Sequence, residues 1–254
     1  MQTCIHSGAA MIEFQGLAKS YGGFDAVKPL TLRVQRGEMF GFLGPNGAGK
    51  TTTIRMLMGI LVPSAGRVLV DGLDCHGDAA EVKRHVGYLP DTPIFYDYLR
   101  GREILQFVAE MHGYSRSEAA GRAHRLLREL ALEDVSEEFA VNYSLGMKKK
   151  LGLACALVHE PQVLILDEPI NGLDPRAARD VQDRLSAAAA QGTTIFMSTH
   201  LLDMAERMCD RVGIIHHGAL AATGTLDELR GAAAAGSSLE QIFLKITDAA
   251  GEQA

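Results

Sequence analysis

Residues 38–60 read EMFGFLGPNGAGKTTTIRMLMGI. The apolar run Met39–Leu43 has the length and composition of a buried strand. It enters a turn holding Gly44, Gly47 and Gly49, after which Ile54, Leu57, Met58 and Leu61 recur at helical spacing. Within it, Gly44–Thr51 fits the pattern G-x-x-x-x-G-K-[ST]. Glycines let the backbone turn tightly and aim N–H groups inward at a phosphate. The following helix adds roughly half a positive charge at its start. Lys50 reaches terminal phosphates, and the Thr51 hydroxyl is a Mg²⁺ ligand. Strand, turn and helix occur in the order that this chemistry requires.

Around this unit lie IEFQ (12–15), FDAV (24–27), LTLRV (30–34) and RVLVDG (67–72). They alternate and carry turn residues between them, which predicts an antiparallel β portion. Residues 95–158 read as helical. Ile104, Phe107, Val108 and Met111 form one apolar face, and Ser115 with Glu118 makes a capping box before a helix bearing Leu126, Leu127 and Leu130. The strand VLILD (163–167) follows, then a helix opened by Asp174 as N-cap and Pro175, and the strands TTIFMS (193–198) and RVGII (211–215). Short buried strands alternating with helices predict a parallel sheet. The expected fold is therefore α/β, with a parallel-sheet core, an antiparallel β portion and an inserted helical subdomain at about 95–158. Residues 1–10 are expected to be an extension and Met11 a plausible start. Residues 231–254 are expected to be a tail, opening with the flexible stretch GAAAAGSS and closing on a short helix.

The chain has 254 residues and a formal net charge of −6, so bulk electrostatics give no case for nucleic acid. No apolar run approaches the roughly 18 residues of a membrane span, and no signal-peptide pattern opens the chain. Cys4, Cys75, Cys155 and Cys209 are scattered without metal or redox spacing, which reads as a reduced, cytosolic chain. VLILDEP places Asp167 and Glu168 at the end of a strand. The first suits Mg²⁺, held directly or through water, and the second suits the activation of water; a solvated acidic turn is the alternative.

Taken together, these motifs resemble the ATP-binding subunit of an ABC transporter over about 11–230. The resemblance implies a P-loop NTPase (RecA-like) fold, with ATP and Mg²⁺ as cofactors. It implies ATP contacts from Gly44, Pro45, Asn46, Gly47, Ala48, Gly49, Lys50, Thr51 and Thr52, with Tyr21 of KSYGG stacking on adenine. By the same resemblance Asp167 holds Mg²⁺ with Thr51, Glu168 is the general base, and His200 of STH contacts the γ-phosphate. Asn171, Gly172, Leu173 and Asp174 resemble the loop joining two nucleotide sites. In NYSLGMKKKL (142–151), Ser144, Leu145, Gly146 and Met147 resemble the signature that meets the ATP of a second subunit.

Two signature positions depart from the family: Leu145 replaces a glycine and so forfeits easy access to positive φ, and Met147 replaces glutamine. Asp91 of YLPD stands where glutamine is usual, so its contact with Mg²⁺ is direct or water-mediated. Lys148, Lys149 and Lys150 read as a solvated face, or else as a field favouring the neighbour's phosphates. The resemblance further implies a head-to-tail dimer with a second copy or a similar subunit, and an integral membrane permease as partner. Location is then cytoplasmic, peripheral on the inner face of the membrane. YSLGM and the ending SSLEQIFLKIT are similar to exporter subunits. A soluble ATPase of metal-cluster assembly, or one working on ribosomes or DNA, is the alternative, and an unrelated P-loop kinase is a more distant one.

Overall fold

The computed structural model describes residues 10–232 and 238–251, so residues 1–9 of the expected extension and most of GAAAAGSS lie outside the described residues, while Ala10 belongs to the first strand. The chain divides into two compact units, residues 1–82 with 202–254, and 83–201.

In the first unit, strands β1 (Ala10–Tyr21), β2 (Phe24–Gln35), β4 (Ala65–Val70) and β5 (Leu73–Asp74) form an antiparallel sheet in the order β2-β1-β4-β5. FDAV and LTLRV, expected as two strands, are one strand running through Pro29. Proline has no N–H to give a ladder, and the register slips at this point: Leu17 faces Leu30, but Lys19 faces Val27. Lys28 turns its N–H to the Gly218 carbonyl instead, at 2.8 Å. Strand β3 (Met39–Leu43) is buried throughout and runs parallel to β9 (Arg211–His216), which pairs antiparallel with β10 (Ala219–Thr225). Helix α1 (Lys50–Leu57) ends earlier than its apolar spacing suggested. Gly59 takes a φ of 65° just beyond it, and Leu61 lies outside the helix. The unit closes with α7 (Leu202–Met208), α8 (Leu226–Ala232) and α9 (Leu239–Gly251).

The second unit opens with the last residues of α2 (Ala79–His85). Its strands β6 (Val86–Leu89), β7 (Val163–Asp167) and β8 (Thr194–Thr199) are parallel, in the order β8-β7-β6. Every residue of β7 and β8 is buried, as the sequence of a parallel strand requires. Helices α3 (Gly101–Met111), α4 (Arg116–Glu129), α5 (Leu145–Leu157) and α6 (Pro175–Ala190) complete the unit. Both expected N-caps are present. Ser115 and Glu118 form the capping box of α4, and the Asp174 carboxylate accepts from the N–H groups of Arg176 and Ala177. The sequence reading did not anticipate β6, β10, α2, α7 and α8: the three helices have only seven residues each, and the strands VGYL and ALAATGT lack clear apolar–polar alternation.

Two expectations are corrected here. The apolar face of α3 is wider than the core it meets: Ile104 is buried, but Phe107 is 51% and Met111 71% exposed. Of the three lysines of α5, Lys148 is partly exposed, but Lys149 and Lys150 are not on a solvated face. Lys149 is 1% exposed and Lys150 is also buried. The reason is that α5 is apolar almost all round, with Leu151, Leu153, Ala154, Ala156 and Leu157 buried. Such a helix is covered on most sides, and its polar side chains are covered with it.

Candidate active site

The glycine-rich loop Gly44–Gly49 hangs between β3 and α1. Gly44 sits so close to β9 that an added Cβ would lie 2.4 Å from the Ile215 carbonyl oxygen. Gly47 and Gly49 take φ of 81° and 107°, and Gly49 is the N-cap of α1. These are conformations that side-chain-bearing residues rarely adopt. Lys50 is buried, its ammonium donating to the carbonyls of Gly44 at 2.7 Å and Pro45 at 3.2 Å. Lys50 thus bridges the loop on its inner side while Asn46, Gly47 and Thr51 stay exposed. Thr53, which no motif singled out, pins the loop to the helix by donating to the Gly49 carbonyl at 2.9 Å. Tyr21 ends β1 beside a Gly22-Gly23 turn, half exposed, with the Lys19 ammonium 5.0 Å from its ring centroid.

The acidic pair belongs to the second unit. Asp167 ends β7 almost wholly buried, and its Oδ1 accepts from the Ser198 hydroxyl at 2.5 Å. Glu168 turns out of the strand into the left-handed region, with φ of 49°. For a non-glycine residue this costs on the order of 1–3 kcal/mol, and it is tolerated only where surrounding contacts hold it. Here the Glu168 N–H donates to the carbonyl oxygen of Ser198 at 3.1 Å and to its hydroxyl at 3.3 Å. The turn rotates the two carboxylates apart. Glu168 Oε2 lies 3.0 Å from His200 Nδ1, so an ionised Glu168, able only to accept, selects the tautomer with the proton on Nδ1. The two acids therefore sit in different surroundings, one fixed by a hydroxyl and one facing an imidazole.

Ser144 is the N-cap of α5 and accepts from the Met147 N–H at 3.2 Å. Leu145 is the first helical residue and has no positive φ, so the glycine it replaces is not needed for backbone conformation in this structure. Leu145 is exposed beside Gly172, whose φ is 73°. Asn171–Asp174 thus adjoins Ser144–Met147. Asp91 is engaged: its Oδ1 lies 3.4 Å from the Lys149 ammonium. Lys150 pairs with Asp180 on α6 at 2.5 Å. Sequence reading missed Ser198 as a partner of both acids, although it begins the STH stretch. It also missed Lys149, which looked like one member of a surface run. The Cys75 and Cys209 thiols are pushed by burial up to about 12, which removes them as nucleophiles.

Residues 27–171 match the ABC transporter family. The chain is 35% identical over 243 residues to the probable multidrug ABC transporter ATP-binding protein YbhF of Escherichia coli, covering 94% of this chain and 42% of that protein. It is 40% identical over 219 residues to the daunorubicin resistance ATP-binding protein DrrA3 of Streptomyces coeruleorubidus, covering 86% of this chain and 69% of the relative. A solved ATP-binding subunit of an ABC transporter superposes with a TM-score of 0.87 at 36% identity, over 93% of this chain and 99% of the other. The fold is that of an ABC ATPase cassette, and the chain belongs to the ABC transporter family.

Proposed function

We propose that the protein binds and hydrolyses ATP and uses the energy to drive transport, in the direction of export, through a separate membrane permease. The observation that carries the hydrolytic part is the division between the two carboxylates, Asp167 held by Ser198 and Glu168 facing His200. Residues 11–230 would work as one ATPase domain, with 95–158 as its helical insert.

Gly44–Thr52 receives the phosphates with backbone N–H groups, and Lys50 exchanges its loop carbonyls for phosphate oxygens. Tyr21 offers an exposed ring face to adenine. Thr51 in the first unit and Asp167 in the second are each hard oxygen donors of the kind Mg²⁺ takes, and Ser198 already orients the Asp167 carboxylate. With Asp91 engaged by Lys149, a water-mediated role suits Asp91 better than direct ligation. Bound Mg²⁺ would supply neutralisation of charge on the phosphate oxygens. Glu168 takes the proton of the attacking water at its carboxylate, which the Nδ1 proton of His200 holds; a contact from His200 Nε2 to the γ-phosphate requires the imidazolium form, in which both ring nitrogens donate.

The exposed start of α5, with Ser144 to Met147 beside Asn171–Asp174, suits contact with ATP held by a second copy or a similar subunit. This makes a head-to-tail dimer whose closure depends on the γ-phosphate. The exposed side chains of Ile94, Tyr96, Tyr98, Phe107 and Met111 supply a surface for the permease, and Tyr96–Leu99 and Phe107 line an open cavity of about 470 Å³ there. No helix among the described residues is long and apolar enough to cross a membrane, which suits a peripheral, cytoplasmic place beside that permease. The resistance function named for a relative supports export.

The test has two arms. Glu168→Gln is expected to lower ATP turnover by ~10²-fold or more and to trap an ATP-dependent dimer in size-exclusion chromatography; near-normal turnover overturns the assignment of the base. Purification from detergent-solubilised membranes is expected to bring down a polytopic membrane protein in stoichiometric amount. Recovery with ribosomal or scaffold proteins alone would overturn the transport reading.

A further inference from the structure

Lys149 is among the largest fully buried side chains of the described residues, yet it carries an ammonium group. Its Nζ donates to the Glu168 carbonyl oxygen at 2.6 Å and to Asp91 Oδ1 at 3.4 Å. The same carbonyl accepts from the Asn171 N–H at 3.2 Å, so both of its acceptor directions are used. Together with the Ser198 contacts to the Glu168 N–H, these bonds clamp both sides of the one residue of the acidic pair that has positive φ.

A buried lysine is a poor choice for packing alone. Burial pushes the Lys149 ammonium down from the usual lysine range, opposed by the neighbouring Asp91 carboxylate. An apolar side chain of similar volume would avoid that desolvation cost. An ammonium here has a use that a methionine would lack: it can hold a carbonyl oxygen in one direction. Rotating the Glu168 peptide by a few tens of degrees would swing its carboxylate away from His200. A misplacement of about 1 Å in a reacting group is enough to cost ~10²-fold in rate.

We infer that Lys149 is a positioning residue for Glu168, fixing the left-handed backbone from which the carboxylate is aimed and linking it to the loop that carries Asp91. This rests on the reading of Glu168 as general base. Lys149 lies one helical turn beyond Leu145, at the exposed start of α5. A shift of α5 or of the Asp91 loop therefore reaches the Glu168 peptide through a single side chain.

The experiment is a double-mutant cycle on the full chain, Lys149→Met against Glu168→Gln, reading ATP turnover and ATP binding by calorimetry. Lys149→Met keeps the volume and removes the donor. It is expected to lower kcat by ~10-fold to 10²-fold while ATP affinity moves by less than about threefold. In the Glu168→Gln background the same substitution is expected to change turnover by less than about twofold, because there is no base left to aim. Equal losses in both backgrounds would mean a general structural role and overturn the inference, as would full turnover of Lys149→Met. Full turnover of Glu168→Gln would instead overturn the base reading, so the two failures separate. If Lys149→Met does not fold, Lys149→Gln and Lys149→Arg take its place in the same cycle. Loss in the first and rescue in the second, only when Glu168 is present, support the inference; equal behaviour of the two overturns it.

Discussion

Replacing Ser198 by alanine removes one oxygen atom from a fully buried strand and tests how Asp167 is held. The Ser198 hydroxyl does two things: it donates to Asp167 Oδ1 at 2.5 Å, and it accepts from the Glu168 N–H at 3.3 Å. The second loss is covered, because that N–H also donates to the Ser198 backbone carbonyl at 3.1 Å. The first leaves a nearly buried carboxylate short of a donor. Hydrogen bonds to charged groups contribute about 1.5–3 kcal/mol, and a buried polar group left without its partner costs about 1–3 kcal/mol, more when it is charged. The expected loss in unfolding free energy is therefore about 1.5–3 kcal/mol, read by urea titration without nucleotide. The hydroxyl also orients a proposed Mg²⁺ ligand, so the Mg²⁺ concentration for half-maximal turnover is expected to rise ~10-fold to 10²-fold. Asp167→Asn separates the two effects. It keeps an acceptor for Ser198, so it is expected to cost less stability than Ser198→Ala, while turnover collapses. A Ser198→Ala variant within about 0.5 kcal/mol of the parent, with an unchanged Mg²⁺ requirement, would refute this account of the acidic pair.

Gly44→Ala is expected to destabilise by about 1–3 kcal/mol, because the new Cβ would meet the Ile215 carbonyl oxygen at 2.4 Å and neither β3 nor β9 can move alone; an unchanged melting temperature would count against so tight a seat for the loop. His159, stacked on His112 with ring centroids 3.7 Å apart, has its pKa lowered by burial to about 4, so the unfolded chain binds the proton first. Stability is then whole above about pH 6.5 and falls as the pH drops towards 4, by up to about 2 kcal/mol after allowance for partial exposure. His159→Gln is expected to flatten that stretch of the stability profile, and an unaltered profile would exclude the histidine as its source. Tyr98→Asp places a charge on the exposed apolar surface and is expected to reduce co-recovery of the proposed permease by about tenfold or more; undiminished recovery would place the contact elsewhere.

The sequence alone determined the glycine loop between strand and helix, the acidic strand end and the helix starts. Each depends on residues adjacent in the chain. Glycines at set spacing, an aspartate before a proline, and an apolar run closing on two acids keep their meaning whatever surrounds them. That is why Gly44–Thr51, Asp167–Glu168 and the Asp174 cap were legible, and why the order of motifs identified the family. Other features depended on what the rest of the fold leaves covered. The spacing of Ile104, Phe107, Val108 and Met111 announces an apolar helix face, but only the packed neighbours leave Phe107 and Met111 exposed. The composition of KKK announces solvent, but α5 is enclosed almost all round, and this puts Lys149 and Lys150 inside. The strand through Pro29 depended on a register slip in its partner, β1. The bond from Lys149 to the Glu168 carbonyl joins residues 19 positions apart, and no local pattern encodes it. Tertiary structure decided these points because burial and partner choice belong to the whole surface around a side chain, and a run of neighbours in sequence supplies only one edge of that surface.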